Sequence, residues 1–487
     1  MNNGKDSILK NIIRYSSSHY YRQALSVLTA FIRPKLLTPE LFGLWNLLKI
    51  IETYVSYAHL GSFSSMRYLI PFHESKNEQA RIQAIKASVL RGSLYLYLFI
   101  SALLVLLSFL PGISIEVRIG LIAFSVIVIL LWYYQYHIAL LKAYQNFKVI
   151  SRSNYLYYTI LFILSVVLIY IWGIYGLYLS IIVPLIVTII YLRSKFPREH
   201  IVGFKKDVFF ELIRHGFPIM LFNTIAMVIR TCDRFIVASF LGNQQLGYYG
   251  IPIMILGFLM NIPGASREVI EPKMMQSLSD TSYKKGVREY FLNPLLNTAY
   301  IMPFLIGLVV FALPIVIPLL LPRYTPGIIP SQIIVIGGYF LALSYIIRGI
   351  VVANNWQLTA SFVMSFSLFV NVFLSILFIK LGFGITGVSI ASSSSFCILL
   401  VSLLIFISIR SNYVAKKLKS NLFFLCCPFF IMCGSIFILE YGENIFSTHS
   451  YVSAFLKIIL FFLINLILIF ITRRKHTLTR KIKLIRQ

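Results

Sequence analysis

The sequence predicts an all-α polytopic membrane protein of about fourteen transmembrane helices, and three observations support this fold class. Of its 487 residues, 58% are hydrophobic and only 12% are charged, and the mean hydropathy is +0.83. Soluble domains are about 45–50% apolar and about 25% charged. Apolar runs of roughly 18 residues or more recur along the chain, a length that suits membrane helices, whereas the strands of a membrane barrel would alternate at every second residue.

The apolar runs are separated by short polar loops. No loop exceeds about 30 residues, which leaves no room for a soluble catalytic domain. The tightest hairpin lies between the fifth and sixth runs and turns at residues 173–176, Gly-Ile-Tyr-Gly. The predicted helices span residues 9–32, 41–66, 88–110, 119–141, 153–172, 175–192, 212–240, 247–270, 291–320, 327–350, 357–379, 383–409, 421–440 and 451–472.

The basic residues predict the orientation of these helices. The formal net charge is +28, but the basic residues sit in loops and not in a folded basic domain, which argues against a nucleic-acid partner. Of 44 Lys and Arg residues, 34 fall in loops on one side, with Arg348 the only one in its loop. Five fall on the other side, Arg33 among them. The positive-inside rule then places both termini in the cytoplasm.

The first predicted hairpin contains polar residues that lipid should reject. Its first helix carries His19 and Arg22, and its second carries Lys49, Glu52 and His59, which share one face. Each charge at the centre of a bilayer costs about 2.5–3.5 kcal/mol on insertion scales. Such residues persist where they face a bundle interior or a wet cavity, so this hairpin is predicted to line a polar path.

The junction of the first two helices recurs later in the chain. Residues 37–45 align with residues 241–249 at an offset of 204, and each copy has a glycine, Gly43 or Gly247, two residues before an aromatic residue. The glycine suits a tight turn or a close approach of helices. Six helices lie between equivalent points, which predicts a parallel repeat. The predicted domains are an N-terminal six-helix lobe (1–205), a C-terminal six-helix lobe (206–412), and two extra helices with a basic tail (413–487).

The seventh predicted helix carries Arg230, Asp233 and Arg234. This trio could be a clamp that ties helices together, or it could bind an anion, since guanidinium groups match the oxygens of phosphates and carboxylates. The two hairpins together hold four cations and two carboxylates, and buried charge is costly when it is unbalanced. The excess favours an anionic substrate in a shared polar chamber. The predicted substrate-binding residues are Arg22, Lys49, Arg230 and Arg234.

Four further residues are candidates for orienting these cations or for coupling transport to an ion: Glu52, Asp233, His19 and His59. Either histidine could carry protons near neutral pH, and either could equally be a hydrogen-bonded residue inside the bundle. The five cysteines lie in or beside apolar segments, and no other potential metal ligands lie near them in the sequence. No catalytic residue, metal site or resident cofactor is predicted, because phosphate-binding glycine loops, paired Cys/His spacings and nucleophile elbows are missing.

At these residues the chain resembles a known family. Residues 36–45, Leu-Leu-Thr-Pro-Glu-Leu-Phe-Gly-Leu-Trp, followed by residues 59–61 and 66–67, look like the start of polysaccharide biosynthesis exporters, with O-antigen flippases of the Wzx type as the nearest subgroup. Residues 233–237 and 241–249 resemble the start of their second half. Lipid II flippases and multidrug extruders of the same superfamily share the glycine-turn pattern.

The resemblance implies two six-helix lobes around a central cavity, with two helices appended. It implies flipping of an undecaprenyl-diphosphate-linked oligosaccharide between leaflets by alternating access, for O-antigen or other surface polysaccharides. Implied partners are this lipid-linked oligosaccharide, membrane lipids, a glycan polymerase and glycosyltransferases. The energy source stays open between coupling to H⁺ or Na⁺, the membrane potential and downstream consumption of the product. Two alternatives stay open: a cation-coupled small-molecule exporter, and a membrane glycan polymerase or ligase, for which the external loops are short.

Overall fold

A computed structural model describes residues 2–195, 203–279, 283–441 and 456–467. Within these ranges every element is helical, with a π-helical turn at Arg288–Leu292 and a 3-10 turn at Pro322–Gly327. The helices are α1 (Asn2–Leu36), α2 (Pro39–Val55), α3 (Ser62–Ser75), α4 (Gln79–Ser108), α5 (Ile115–Ala143), α6 (Phe147–Lys195), α7 (Lys206–Val228), α8 (Cys232–Ser279), α9 (Tyr283–Val287), α10 (Asn293–Leu320), α11 (Ile328–Ala353), α12 (Gln357–Lys380), α13 (Gly384–Arg410), α14 (Asn412–Tyr441) and α15 (Leu456–Ile467).

The all-α membrane fold is confirmed, whereas the count of fourteen spans is not. In the part of the chain that the structure describes, nine helical stretches are long and apolar enough to cross a bilayer. Two of them combine predicted pairs of spans: α6 bends at Gly173, and the stretch from α7 into α8 contains a turn at residues 229–231 and a bend at Gly242. The polar first hairpin, α1 and α2, is not among the nine.

The chain forms two compact units, Met1–Thr224 and Ile225–Gln487. The first unit holds α1 to α6 and most of α7, and the second holds α8 to α15. The lobe boundaries predicted at residues 205/206 and 412/413 stay a prediction.

The predicted second helix, residues 41–66, is wrong as a single helix. The chain leaves the helical conformation between Ser56 and Gly61 and starts again as α3. Gly61 has φ of +89°, a conformation that glycine adopts without strain. Nδ1 of His59 accepts a hydrogen bond from the Gly61 amide at 3.0 Å, and its ring stacks on Phe63 at 4.6 Å between centroids. The break therefore has its own stabilising contacts.

The start of α3 packs directly on the backbone of α7. A Cβ atom added to Gly216 would lie 2.1 Å from the carbonyl oxygen of Gly61, and one added to Gly61 would lie 2.4 Å from the carbonyl carbon of Gly216. Beside this contact the Ser65 hydroxyl donates a hydrogen bond of 2.6 Å to the Leu212 carbonyl. Small residues thus allow close backbone approach, as they commonly do between membrane helices.

In both copies of the repeated segment the turn lies at the same aligned position, which is not that of Gly43 or Gly247. Gly43 and Gly247 lie inside α2 and α8 and are buried, so neither makes the turn. The non-helical residues are Thr38, which is extended before Pro39 and caps α2, and Gly242 with φ of +83°. These two positions differ by the same 204 residues. The turn is set by a proline at the first position of a helix in one copy and by a left-handed glycine in the other.

Two further junctions repeat, at offsets of 210 and 211 residues. Gln145 after α5 and Asn355 after α11 both have positive φ, 53° and 56°, and the residues around them share four equivalent backbone hydrogen bonds. Residues 173–176, Gly-Ile-Tyr-Gly, correspond to residues 384–387, Gly-Ile-Thr-Gly, and the first glycine of each has positive φ. The second match is visible in the sequence itself.

Candidate functional site: two cationic clusters and a buried carboxylate

The predicted anion-binding residues lie in both units, two in each. In the first unit, Arg22 on α1 lies against Tyr158 on α6, with its guanidinium carbon 5.7 Å from the ring centroid. The Tyr157 ring contacts that of Tyr158 at 4.9 Å between centroids. Cation–π contact of this kind holds a guanidinium in place without neutralising its charge. Among the described residues Arg22 has no carboxylate partner.

Lys49 and Glu52 on α2 form an ion pair of 2.5 Å. The Lys49 side chain is 40% exposed and that of Glu52 is 17% exposed. The Lys49 ammonium also lies 5.8 Å from the centroid of Trp45. Glu52 also interacts electrostatically with Tyr157 and Tyr158. Glu52 therefore holds Lys49, as an orienting carboxylate would.

The prediction that placed Arg33 in an external loop is wrong. Helix α1 continues to Leu36, and Arg33 lies in its last turn with its guanidinium carbon 5.2 Å from the centroid of Trp45. Trp45 thus lies beside both Arg33 and Lys49. We define Arg22, Arg33 and Lys49, with Glu52, as the first cationic cluster; it carries two more positive than negative charges.

The two histidines occupy different surroundings. His59 accepts from the Gly61 amide and stacks on Phe63, which fits the alternative of a hydrogen-bonded structural residue. His19 on α1 lies edge-on to Tyr20, with 6.3 Å between ring centroids. A coupling role for either histidine stays a prediction.

In the second unit, Arg230 lies in the turn between α7 and α8. Its guanidinium donates to the hydroxyl of Tyr345 on α11, its Nε donates to the Ala226 carbonyl at 3.0 Å, and its carbon lies 5.5 Å from the Tyr345 centroid. Arg348 lies 6.0 Å from the same ring. Arg230 and Arg348 around Tyr345 form the second cationic cluster.

The count of basic residues assigned Arg348 to a loop although it falls inside the predicted helix of residues 327–350, and the structure places it inside α11. Its side of the membrane stays a prediction. Helix α11 extends to Ala353, three residues past the predicted end, and Arg348 is 5% exposed within it. The loop prediction relied on charge alone. Tyr345, three residues earlier on α11, was the signal available in the sequence, since an Arg and a Tyr at that spacing share a helix face.

Asp233 is the centre of a buried polar network in the second unit. It is 2% exposed and accepts hydrogen bonds from the Tyr249 hydroxyl at 2.7 Å, the Ser392 hydroxyl at 3.3 Å and the Arg234 amide at 2.9 Å. The network continues through Asn371, whose amide donates to Ser392 at 3.4 Å. Asn371 also bonds to Ser395 at 2.9 Å and to Ser375 at 3.4 Å.

Arg234 lies beside Asp233 and interacts with its charge. The trio predicted as one clamp or one anion site is thus divided, because the turn at residues 229–231 separates Arg230 from the other two. Arg230 belongs to the second cationic cluster, and Asp233 with Arg234 belongs to the polar network. The binding roles of Arg22, Lys49, Arg230 and Arg234 stay predictions.

Comparison with known proteins identifies the family. A family profile described as "Polysaccharide biosynthesis protein" matches residues 34–326, more than half of the chain. The chain belongs to this polysaccharide biosynthesis family. The matched region contains Lys49 and Glu52 of the first cluster, Arg230 of the second and Asp233 of the polar network. The resemblance found in the two hairpins is thereby confirmed at the level of the family.

One curated relative and two solved structures illustrate the similarity. An uncharacterised membrane protein of Methanocaldococcus jannaschii is 21% identical over 291 residues, which are 56% of this chain and 68% of that protein. The lipid II flippase MurJ in an inward closed conformation superposes with a TM-score of 0.71 at 17% identity, covering 96% of this chain and all of that one. An inward-facing MATE-family multidrug resistance transporter of the MOP superfamily gives 0.67 at 12% identity, covering 83% and 99%.

These likenesses establish the fold of this family member. The MurJ superposition leaves about 20 residues of the chain unmatched, fewer than the 30 residues of α14. The shared fold therefore extends beyond α13 into the C-terminal helices. The fold is that of membrane transporters and flippases.

Proposed function

We propose that the protein flips an undecaprenyl-diphosphate-linked oligosaccharide from the cytoplasmic to the periplasmic leaflet of a bacterial inner membrane by alternating access. The product would feed O-antigen or another surface polysaccharide. Membership of a polysaccharide biosynthesis family and a flippase-like fold support this proposal. In this reading a glycan polymerase and glycosyltransferases act on the same lipid-linked substrate.

The excess of positive charge in the first cationic cluster is the observation that carries the proposal. This cluster has three cations and one carboxylate. Cations within a membrane protein are costly unless an anion or a wet cavity accompanies them. A diphosphate supplies the missing negative charge, and guanidinium groups match its oxygens with charge-assisted hydrogen bonds. The polyprenyl tail can stay in the lipid.

The Asp233 network is proposed to couple transport to H⁺ or Na⁺. The hydroxyls of Tyr249 and Ser392 donate to this carboxylate and can accept or donate as the occupancy changes, and Arg234 interacts with its charge. A proton on Asp233 or a small cation held by oxygen ligands would change the charge of the network by one unit. Glu52 is proposed to keep Lys49 oriented and binding reversible.

Arg22→Ala and Arg230→Ala are expected to reduce glycan export about tenfold to hundredfold each, because each removes charge-assisted hydrogen bonds to the diphosphate. Surface glycan measured in a deletion strain complemented with each variant tests this, with protein levels compared by immunoblot. Lys35→Ala is the matched control, since Lys35 is an exposed cation on the same helix as Arg22. Full export by both arginine variants at normal protein levels would refute the proposal.

A cation-coupled exporter of small molecules is the second candidate, favoured by the buried carboxylate network of Asp233. A drug-susceptibility assay in an efflux-deficient strain separates the two candidates: protection against drugs with no effect on surface glycan supports the exporter. A membrane glycan polymerase or ligase is disfavoured, because the fold is that of transporters and flippases.

A further inference from the structure

Arg33 is a cation of the first cluster that is bonded to no carboxylate among the described residues. Within the described part of the chain its guanidinium makes no hydrogen bond and no ion pair, and its Nε is buried without a hydrogen-bond partner. The carboxylate nearest to it in electrostatic terms is Glu52, which is already bonded to Lys49 at 2.5 Å. Arg33 as a whole is half-buried, and a buried guanidinium nitrogen without an acceptor is costly, so a ligand oxygen bonded to this group would be favoured.

The position of Arg33 on α1 relates it to Arg22. Eleven residues separate them, which is about three helical turns, so both project from nearly the same face of the helix. The rise between them is about 16 Å, roughly half of the hydrocarbon thickness of a bilayer. Glu52 interacts electrostatically with Arg33 and with Tyr158, the ring that lies against Arg22.

Trp45 holds Arg33 in this position. Its ring lies 5.2 Å from the guanidinium carbon of Arg33, is itself 3% exposed, and also contacts Lys49 at 5.8 Å. An aromatic face orients a guanidinium but offers no lone pair to its N–H groups. The donors of Arg33 are thus positioned and left available.

We propose that Arg33 is a second diphosphate-binding station, separate from Arg22, which the headgroup of the translocated lipid occupies later along its path. This inference rests on the proposed function. Arg22 would bind the diphosphate first, and Arg33, with Lys49 beside it, would bind it about 16 Å further along α1. The two stations divide one costly transfer across the membrane into two shorter steps. Lys49 and Glu52, already paired with each other, lie beside this path.

Trp45 makes the proposal testable, because its fluorescence reports on the Arg33 station. Purified protein in phosphatidylcholine nanodiscs is titrated with inorganic pyrophosphate, and the response of Trp45→Phe protein is subtracted to remove the other three tryptophans. The expected result is a saturable change in Trp45 emission. Arg33→Gln should weaken the midpoint about tenfold to hundredfold, and Arg33→Lys should retain part of the affinity.

Two controls test whether the response is specific to Arg33 and to a diphosphate. Lys35→Gln removes an exposed cation two residues away and should leave the midpoint unchanged. Repeating the titration with inorganic phosphate, and with phosphatidylglycerol in the nanodiscs, tests whether a single phosphate or an ordinary lipid headgroup is the ligand; a full response to either overturns a diphosphate station. An unchanged pyrophosphate midpoint in Arg33→Gln also overturns it.

Flipping of a fluorescent prenyl-diphosphate sugar in proteoliposomes separates this inference from the proposed function. Loss of flipping in both Arg22→Gln and Arg33→Gln supports two stations. Loss in Arg22→Gln with normal flipping in Arg33→Gln removes the second station and leaves the proposed function standing. Normal flipping in both variants would refute the second station and the proposed function alike.

Discussion

Gly216→Ala is expected to remove most of the folded protein from the membrane. The new methyl group would lie 2.1 Å from the Gly61 carbonyl oxygen and 2.7 Å from the Ser65 hydroxyl oxygen. The nearest of these atoms is backbone, so no side-chain rotation relieves the overlap, and α3 must move away from α7. Overpacking costs about 1–3 kcal/mol where side chains can adjust, and contact with the backbone places this variant at or above the upper end.

The measurement is thermal unfolding of detergent-solubilised protein, together with the folded fraction seen by size-exclusion chromatography. Gly257→Ala is the matched control, since Gly257 lies inside α8 and an added Cβ would meet no atom within 4 Å. Alanine at a helical position favours the helix by about 1 kcal/mol over glycine, so the control should be neutral or slightly stabilised. A Gly216→Ala protein as stable as Gly257→Ala would show that α3 and α7 pack less closely than described.

Asp233→Asn is expected to reduce transport about a hundredfold while leaving the protein folded. Asparagine keeps the shape of the side chain, and its oxygen can still accept from the Arg234 amide. The hydroxyls of Tyr249 and Ser392, which now donate to the carboxylate, can rotate to accept from the new amide. What the substitution removes is the negative charge on which coupling to H⁺ or Na⁺ depends in the proposed function.

Transport in proteoliposomes across imposed Na⁺ and pH gradients tests this expectation. Residual transport by Asp233→Asn should no longer depend on the ion to which the unmodified protein responds. Tyr249→Phe is the control: it removes one donor of the network, keeps the carboxylate, and should retain the ion dependence with a stability loss of about 1 kcal/mol. Unmodified rates and ion dependence in Asp233→Asn would make the network purely structural.

Asp233→Ala gives a contrasting result in the same assays. It removes every acceptor atom and leaves the Tyr249 hydroxyl, which is fully buried, without its partner. An orphaned buried donor costs about 1–3 kcal/mol, so this variant should lose both stability and transport. Loss of transport in Asp233→Asn without loss of stability then separates charge from packing.

The contrast between Arg33 and Arg22 shows which site residues could be predicted from the sequence and which could not. Both belong to one helix face in the structure, yet the predicted first helix ended at residue 32 and left Arg33 in the junction with Pro34. Proline here lies within the last turn of α1. Arg348 was assigned to a loop for a related reason, since a single arginine near the end of an apolar run is indistinguishable from a topology signal.

Composition and hydropathy were enough to establish an all-helical membrane protein, because a bilayer imposes one long apolar run for each crossing whatever the neighbouring helices are. The polar residues of the first hairpin and Asp233 could be recognised for the same reason, because they interrupt apolar runs that otherwise cross the bilayer. Which of these residues meet each other depended on contacts between distant parts of the chain. Arg22 meets Tyr158, Arg230 meets Tyr345, and Gly61 meets Gly216 across separations that no local pattern encodes.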